Sequence, residues 1–314
     1  MLIYRFPGKS IVHKEGTFEK KAHFSENGFV VCSFDKSECF QFVENKNNTN
    51  KRIPKEIYSS TKIEYIKQGE KLVASIRTLG IQKTVLSRIH SLDFESEKSI
   101  ALFDLLEKAY PNAFVYLFED ATLGNWIGAS PEVLFQKEGN SGLTVALAAT
   151  KKADENTNWT VKETLEQAFV TEFIQDCLIG IGISDLELNG PYEFQAGPVK
   201  HLKTDFRFSN GKLSTFEIID SLHPTPAVSG LPQKISLELI ETLEKHNREL
   251  YSGYIGLVEE NRASVYVNLR CAQIQNEKIH MYLGGGYTKD SDPEMEWKET
   301  ENKSKTLLDL VQKL

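Results

Sequence analysis

The feature that most constrains this fold is a series of short strand-like runs, NWIGAS, GLTVALAAT, SGYIGLVEE, ASVYVNLRCAQI and KIHMYLGGG, several joined by links as brief as EENRAS and QNEK. A parallel crossover needs roughly a dozen residues or more, so links this short select antiparallel hairpins. Helical spacing separates the hairpins. KQGEKLVASIRTLGIQKTVLSR reads as a helix followed by a strand entering at Lys83, SEKSIALFDLLEKAY (96–110) as a helix, and AFVYLFED (113–120) as a strand. Residues 1–66 carry short strands such as NGFVVCSF around the Asn-rich stretch ENKNNTNK (44–51), and read as an N-terminal elaboration packed on the same domain, with 67–314 as the main body. With no internal repeat and no Pro/Gly-rich linker, the expectation is one α+β domain of large antiparallel sheets flanked by helices.

Composition narrows the class. The 314 residues carry a net charge of -7 with basic residues scattered, which gives a polyanion nothing to bind, so nucleic acid is not an expected partner. No run approaches the roughly 20 apolar residues of a membrane span, and the opening MLIYRFPGKSIVHKEG lacks a secretory or transit pattern. Cys32, Cys39, Cys177 and Cys271 show neither CxxC nor metal-ligand spacing, so no disulfide framework or zinc site is expected and a reducing cytoplasm fits. The expected state is a monomer or weak dimer.

Two helices place charge oddly. In the C-terminal helix, opened by Asp292-Pro293, the apolar line Leu307, Leu310, Val311 and Leu314 continues backward through Lys303, Thr300, Glu299 and Glu296. Carboxylates in line with a core stripe suggest a wet cavity or a cation at its mouth, although Glu299 with Lys303 also fits an ordinary i,i+4 surface pair. The helix opened by Thr160 puts Glu166 in line with Phe169, Phe173 and Cys177, while Glu163 suits either a capping box with Thr160 or a ligand role. Inward carboxylates from two helices would form an oxygen-rich site suited to magnesium. Gly284-Gly285-Gly286 lacks the GxxxxGK[ST] phosphate-loop pattern, and is read either as backbone approached closely by a ligand or as a bulge or turn.

Taken in order, KTVLSR (83–88), GASPEVLF (128–135), LAAT (147–150), KETLEQ (162–167), VKHL (199–202), LHPTPAVSG (222–230), LYSGYIG (250–256), VNLRCA (267–272) and LGGG…SDPEMEWKETENK (283–303) resemble the chorismate-utilising family, which includes isochorismate, salicylate, anthranilate and aminodeoxychorismate synthases. The resemblance implies a single chorismate-binding domain, a twisted sandwich of antiparallel sheets with helices outside, and Mg2+ as cofactor. It implies a metal shell of Glu166, Glu296 and Glu299 with Glu163 more distant. Tyr251 and Arg270 would hold the enolpyruvyl carboxylate, the backbone at Gly284 and Gly286 with Lys303 would receive the ring carboxylate, and Thr150 and His201 would line the ring.

The implied reaction adds water at C2 of chorismate and expels the C4 hydroxyl, with Lys83 as base and Glu132 as acid. A lysine base needs burial to lower its pKa, which Val85 and Leu86 suggest, whereas the acid needs an apolar setting that raises it. Lys83 favours water over ammonia as nucleophile, and Ala227 favours stopping at isochorismate rather than salicylate. A catalytically silent chorismate-binding regulator is the non-enzyme alternative. Three features depart from the family pattern: Ala149 stands where a glycine is usual, Gln167 where a histidine is usual, and the 151–165 segment is short.

Overall fold

A computed structural model describes residues 1–22, 24, 27–46, 55–196 and 199–314, apart from the side chains at 150, 152, 162, 196 and 199. In chain order the first strands are β1 (Leu2–Arg5), β2 (Val12–Lys14), β3 (Gly16–Lys20), β4 (Gly28–Cys32) and β5 (Cys39–Glu44). Next come α1 (Lys62–Leu79), β6 (Lys83–Asp93), α2 (Ser99–Ala109), β7 (Phe114–Asp120), β8 (Gly124–Ser130), β9 (Val133–Glu138), β10 (Ser141–Lys152) and α3 (Val161–Gly180). The remainder is β11 (Glu187–Ala196), β12 (Val199–Ser209), α4 (Thr215–Leu222), β13 (Gly230–Leu231), α5 (Gln233–Leu243), β14 (Tyr254–Val258), β15 (Arg262–Val267), β16 (Cys271–Gln275), β17 (Lys278–Tyr287) and α6 (Pro293–Val311).

These strands make two antiparallel sheets, ordered β13-β6-β17-β16-β8-β7-β1-β2 and β11-β12-β10-β9-β15-β14-β4-β5-β3 among the described residues. Strand alternation builds the layers. On β7, Phe114, Tyr116 and Phe118 turn into an aromatic layer shared with Phe29 and Val31 of β4 and Ile255 of β14 in the other sheet. Val115 and Leu117, of opposite parity, pack against Leu102 and Phe103 of α2 and Leu307 and Leu310 of α6. The second sheet is covered on its far face by α3 and α4 through Val170, Ile174, Leu178, Ile218 and Leu222. The α+β class with antiparallel sheets and outer helices is the architecture observed.

Several local expectations shift. Strands β1–β5 of the N-terminal segment, expected to pack on the same domain, join both sheets, since β1 pairs β7 and β4 pairs β14. Cys32 and Cys39 are linked by a disulfide, against the expectation of unpaired cysteines, because the β4–β5 register sets them opposite each other despite a separation of 7 residues. The buried line of α3 runs through Gln167, Val170, Ile174 and Leu178 rather than through Phe169, Phe173 and Cys177; Glu166 therefore flanks the core face instead of continuing it. Leu314 lies beyond α6 and is exposed. Among the described residues, no helix is long and apolar enough to cross a membrane.

Candidate active site

A cavity of about 330 Å³ opens at one end of the sheet sandwich, between β17, β10, α3 and α6. Its floor is the glycine run, which lies within β17 in regular register with β6 (Gly284 opposite Ser87, Gly286 opposite Val85) and is neither bulge nor turn. Side chains press onto it from three sources. A Cβ on Gly284 would fall 2.6 Å from the Tyr251 hydroxyl, one on Gly285 3.0 Å from a carboxylate oxygen of Glu296, and one on Gly286 2.8 Å from Cε of Lys83. Glycine is therefore required here to admit these groups, and none of the three residues needs a left-handed backbone.

Lys83 is the first residue of β6, and its Nζ donates to Oε1 of Glu166 on α3 at 2.5 Å. On α6, Lys303 donates to the Gly284 carbonyl at 2.8 Å and pairs with Glu299 one turn earlier at 2.6 Å. Glu296 is buried and accepts from the Ser291 hydroxyl at 2.8 Å. Arg270, left-handed at φ 50° between β15 and β16, donates to the Lys303 carbonyl at 3.0 Å. Tyr251 stacks on Tyr282 with ring centroids 5.7 Å apart, and Nδ1 of His201 lies 3.0 Å from the Ala149 carbonyl.

Glu132 sits in the short link where the chain leaves β8 in one sheet for β9 in the other, with its carbonyl accepting from the Val267 amide. Glu163 closes the capping box of α3, accepting from the Thr160 amide at 2.7 Å, while also reaching the cavity wall. All the candidate site residues implied by the resemblance thus line this one cavity except Thr150, whose side chain lies outside the described residues.

Electrostatics separates the two proposed proton carriers. Burial pushes Glu132 up to about 7 against the pull of Lys83 and Lys303, as an acid that must keep its proton near neutrality requires. Lys83 overturns the lowered pKa expected from Val85 and Leu86. Burial does pull it down, but the charge and hydrogen bond of Glu166, with Glu299 and Glu132 behind, outweigh burial and hold it above its ordinary value. For Glu299, the nearby Lys303 leads in lowering the carboxyl, and burial leads in lowering His201.

Among the described residues no three His, Cys, Asp or Glu side chains converge closely enough to hold an ion. The donor set nevertheless fits magnesium in kind. Glu166 and Glu296 are hard oxygen donors approaching the same glycine strand from two helices, Glu299 lines the same cavity, and magnesium typically takes one or two carboxylates while keeping waters or substrate oxygens.

The sequence reading missed Arg248 and Glu244. Arg248 is buried, bonds Glu244 at 2.6 and 2.9 Å, and donates to the carbonyls of Val228 and Val85, two residues of the cavity wall. Glu244 also accepts from the Ser87 amide at 2.6 Å. The i,i+4 spacing of the pair was the available signal, but it normally marks a solvated helix face.

A concave cavity walled by lysines, an arginine and carboxylates between antiparallel sheets is a pocket of the kind that takes a small polar ligand. The sequence family described as chorismate binding enzyme matches residues 25–312, and the chain belongs to that family. It is 29% identical over 246 residues to the isochorismate synthase EntC of Escherichia coli, a match covering 73% of this chain and 62% of that protein, so the chain spans under two thirds of that relative's length. It is 26% identical over 318 residues to anthranilate synthase component 1 of Saccharolobus solfataricus, covering 94% of this chain and 69% of that one. The solved structure of MenF, the menaquinone-specific isochorismate synthase of Escherichia coli, shares the fold with a TM-score of 0.82 at 20% identity, covering 99% of this chain and 88% of that one.

Proposed function

We propose that this chain is an isochorismate synthase, converting chorismate to isochorismate with magnesium by adding water at C2 and releasing the C4 hydroxyl. The observation that carries the reading is the pairing, in one cavity, of a buried lysine with a buried glutamate whose pKa is raised to about 7. Relatives bearing the isochorismate synthase name support it. Lys83 takes a proton from water as the oxygen bonds to C2, the ring double bonds shift, and Glu132 gives its proton to the departing C4 oxygen, so the product is an isomer of the substrate. Tyr251 and Arg270 anchor the enolpyruvyl carboxylate, and Lys303 with the Gly284–Gly286 backbone takes the ring carboxylate, where an Arg fork and buried donors suit carboxylates. Thr150 and His201 line the ring. Glu166, Glu296 and Glu299 would hold the metal, with Glu163 further out; when bound, it neutralises substrate carboxylate charge.

Ion pairing with Glu166 keeps Lys83 protonated, so its work as a base requires that pair to be exchanged when the carboxylate is engaged elsewhere. Ala227, on the cavity wall, presents a methyl rather than a hydroxyl, which favours release at isochorismate. The deciding experiment incubates the protein with chorismate and magnesium and identifies the product by mass and chromatography. Isochorismate with little pyruvate and no need for ammonia is expected. Stoichiometric pyruvate with salicylate, or an absolute ammonia requirement as in the aminating branch, overturns the assignment, and binding without turnover would mark a silent regulator.

A further inference from the structure

Opposite the glycine floor, the cavity wall is irregular. β10 and β12 pair as Ala148 with Leu202 and then as Lys151 with Lys200, so residues 149 and 150 together face the single residue His201. This is a β-bulge, and Ala149 occupies it with a left-handed backbone at φ 56°. A residue bearing a Cβ pays roughly 1–2 kcal/mol there relative to its usual conformation, which is why such bulges favour glycine. Something must hold the alanine in place.

Gln167 is positioned to do so. It is 1% exposed on the core face of α3. Its Oε1 accepts from the Ala148 amide at 3.0 Å, immediately before the bulge. Its Nε2 donates to the Ala146 carbonyl at 3.2 Å and to Thr204 Oγ1 on β12 at 3.1 Å. One carboxamide thus ties α3 to both strands of the bulged pair. The Ala149 carbonyl, aimed by that backbone, meets His201 Nδ1 at 3.0 Å; since a carbonyl only accepts, a neutral ring must carry its proton on Nδ1.

We propose that Gln167 is a positioning residue: it holds the bulge with Ala149 left-handed, and through the Ala149 carbonyl it fixes the orientation and tautomer of His201 at the cavity wall. Ala149 and Gln167, two of the three departures from the family pattern, then act as one device. The effect on turnover rests on the reading of the site as an isochorismate synthase, whereas the geometry of His201 does not.

The test uses the full chain labelled with 15N-histidine and no substrate, with the His201 resonances assigned against His201→Gln. Wild type should show the Nδ1–H tautomer. Gln167→Met, similar in size but without the carboxamide, should move His201 toward the Nε2–H form and lower kcat/KM for chorismate about tenfold, the scale of coupling between contacting residues. Adding Ala149→Gly should restore the tautomer and most of the activity, because glycine adopts the left-handed backbone unaided. If Gln167→Met does not fold, Thr204→Val, which strips one partner from the same amide, is read in the same way with a smaller shift expected. A wild-type His201 tautomer in every folded variant overturns the proposal, as does a second substitution whose loss adds to the first. Should the chain prove inactive on chorismate, the tautomer measurements still decide the matter, so the two failures remain distinguishable.

Discussion

The two walls of the cavity are built by opposite means. The floor on β17 and α6 is regular: an unbroken antiparallel register sets the glycines, helical spacing sets Glu296, Glu299 and Lys303, and ion pairs join the groups. The facing wall on β10, β12 and α3 depends on a break in register, a left-handed alanine and a neutral amide buried behind it. Charge is placed by helical periodicity, on α6 and at Glu163 and Glu166 of α3, whereas the backbone beside His201 is placed by a local irregularity. On this division, loss of a charged group, whether on the floor or at Glu166 of α3, should damage chemistry, and loss of Gln167 or of the bulge should mainly disturb geometry.

The largest effect is expected at Lys83, at the start of β6 beside the glycine floor. Lys83→Ala should lower kcat by roughly 10²–10⁴, the usual worth of general acid–base catalysis, while chorismate still binds to Arg270, Tyr251 and Lys303. Measuring kcat and substrate affinity separately decides it, since a wild-type kcat removes Lys83 as the base.

The pH profile sharpens the contrast between Lys83 and Glu132. The proposed mechanism needs neutral Lys83 and protonated Glu132, yet Lys83 is held above its ordinary value and Glu132 lies at about 7. The competent form is then a minority state, and the limbs exchange meaning: kcat/KM rises with pH through the Glu132 titration near 7 and falls only as Lys83 loses its proton. Glu132→Gln should be slow and lack the limb near 7. A variant that keeps that limb assigns it to another group.

A stability measurement addresses the same carboxyl without substrate. Its folded pKa of about 7 lies above the ordinary 4.5, so the folded state binds this proton more tightly, and the resulting stabilisation is lost as pH rises between those values. Glu132→Gln removes that dependence and should raise thermal stability relative to wild type at pH 8, by at most about 3 kcal/mol, with the gain vanishing toward pH 4. A gain independent of pH would mean that the charge is not the cause.

The smallest effect is expected at Glu163. Glutamine can also close a capping box, so Glu163→Gln should melt near wild type and turn over within about twofold at any magnesium concentration, whereas Glu163→Ala should lose about 1 kcal/mol of stability. A magnesium requirement that rises sharply in Glu163→Gln would instead make this residue part of the metal shell.

The antiparallel class, the capping box at Thr160, the Asp292-Pro293 helix start and the carboxylates of α6 were legible in the sequence because each depends on residues a few positions apart. The residues that line the cavity were also legible, but only through motifs read in series; periodicity alone even set the buried line of α3 one residue away from its true course. Other features depended on partners far along the chain. The raised pKa of Lys83 comes from Glu166, 83 residues away, and the contact between the Cys32 and Cys39 strands comes from sheet register. Arg248 clasps wall carbonyls 20 and 163 residues distant, and Gln167 finds its amide partner across a bulge. Local sequence fixes what is periodic; the strength and sign of a buried charge or amide depend on what surrounds it, and only the packed tertiary structure decides that.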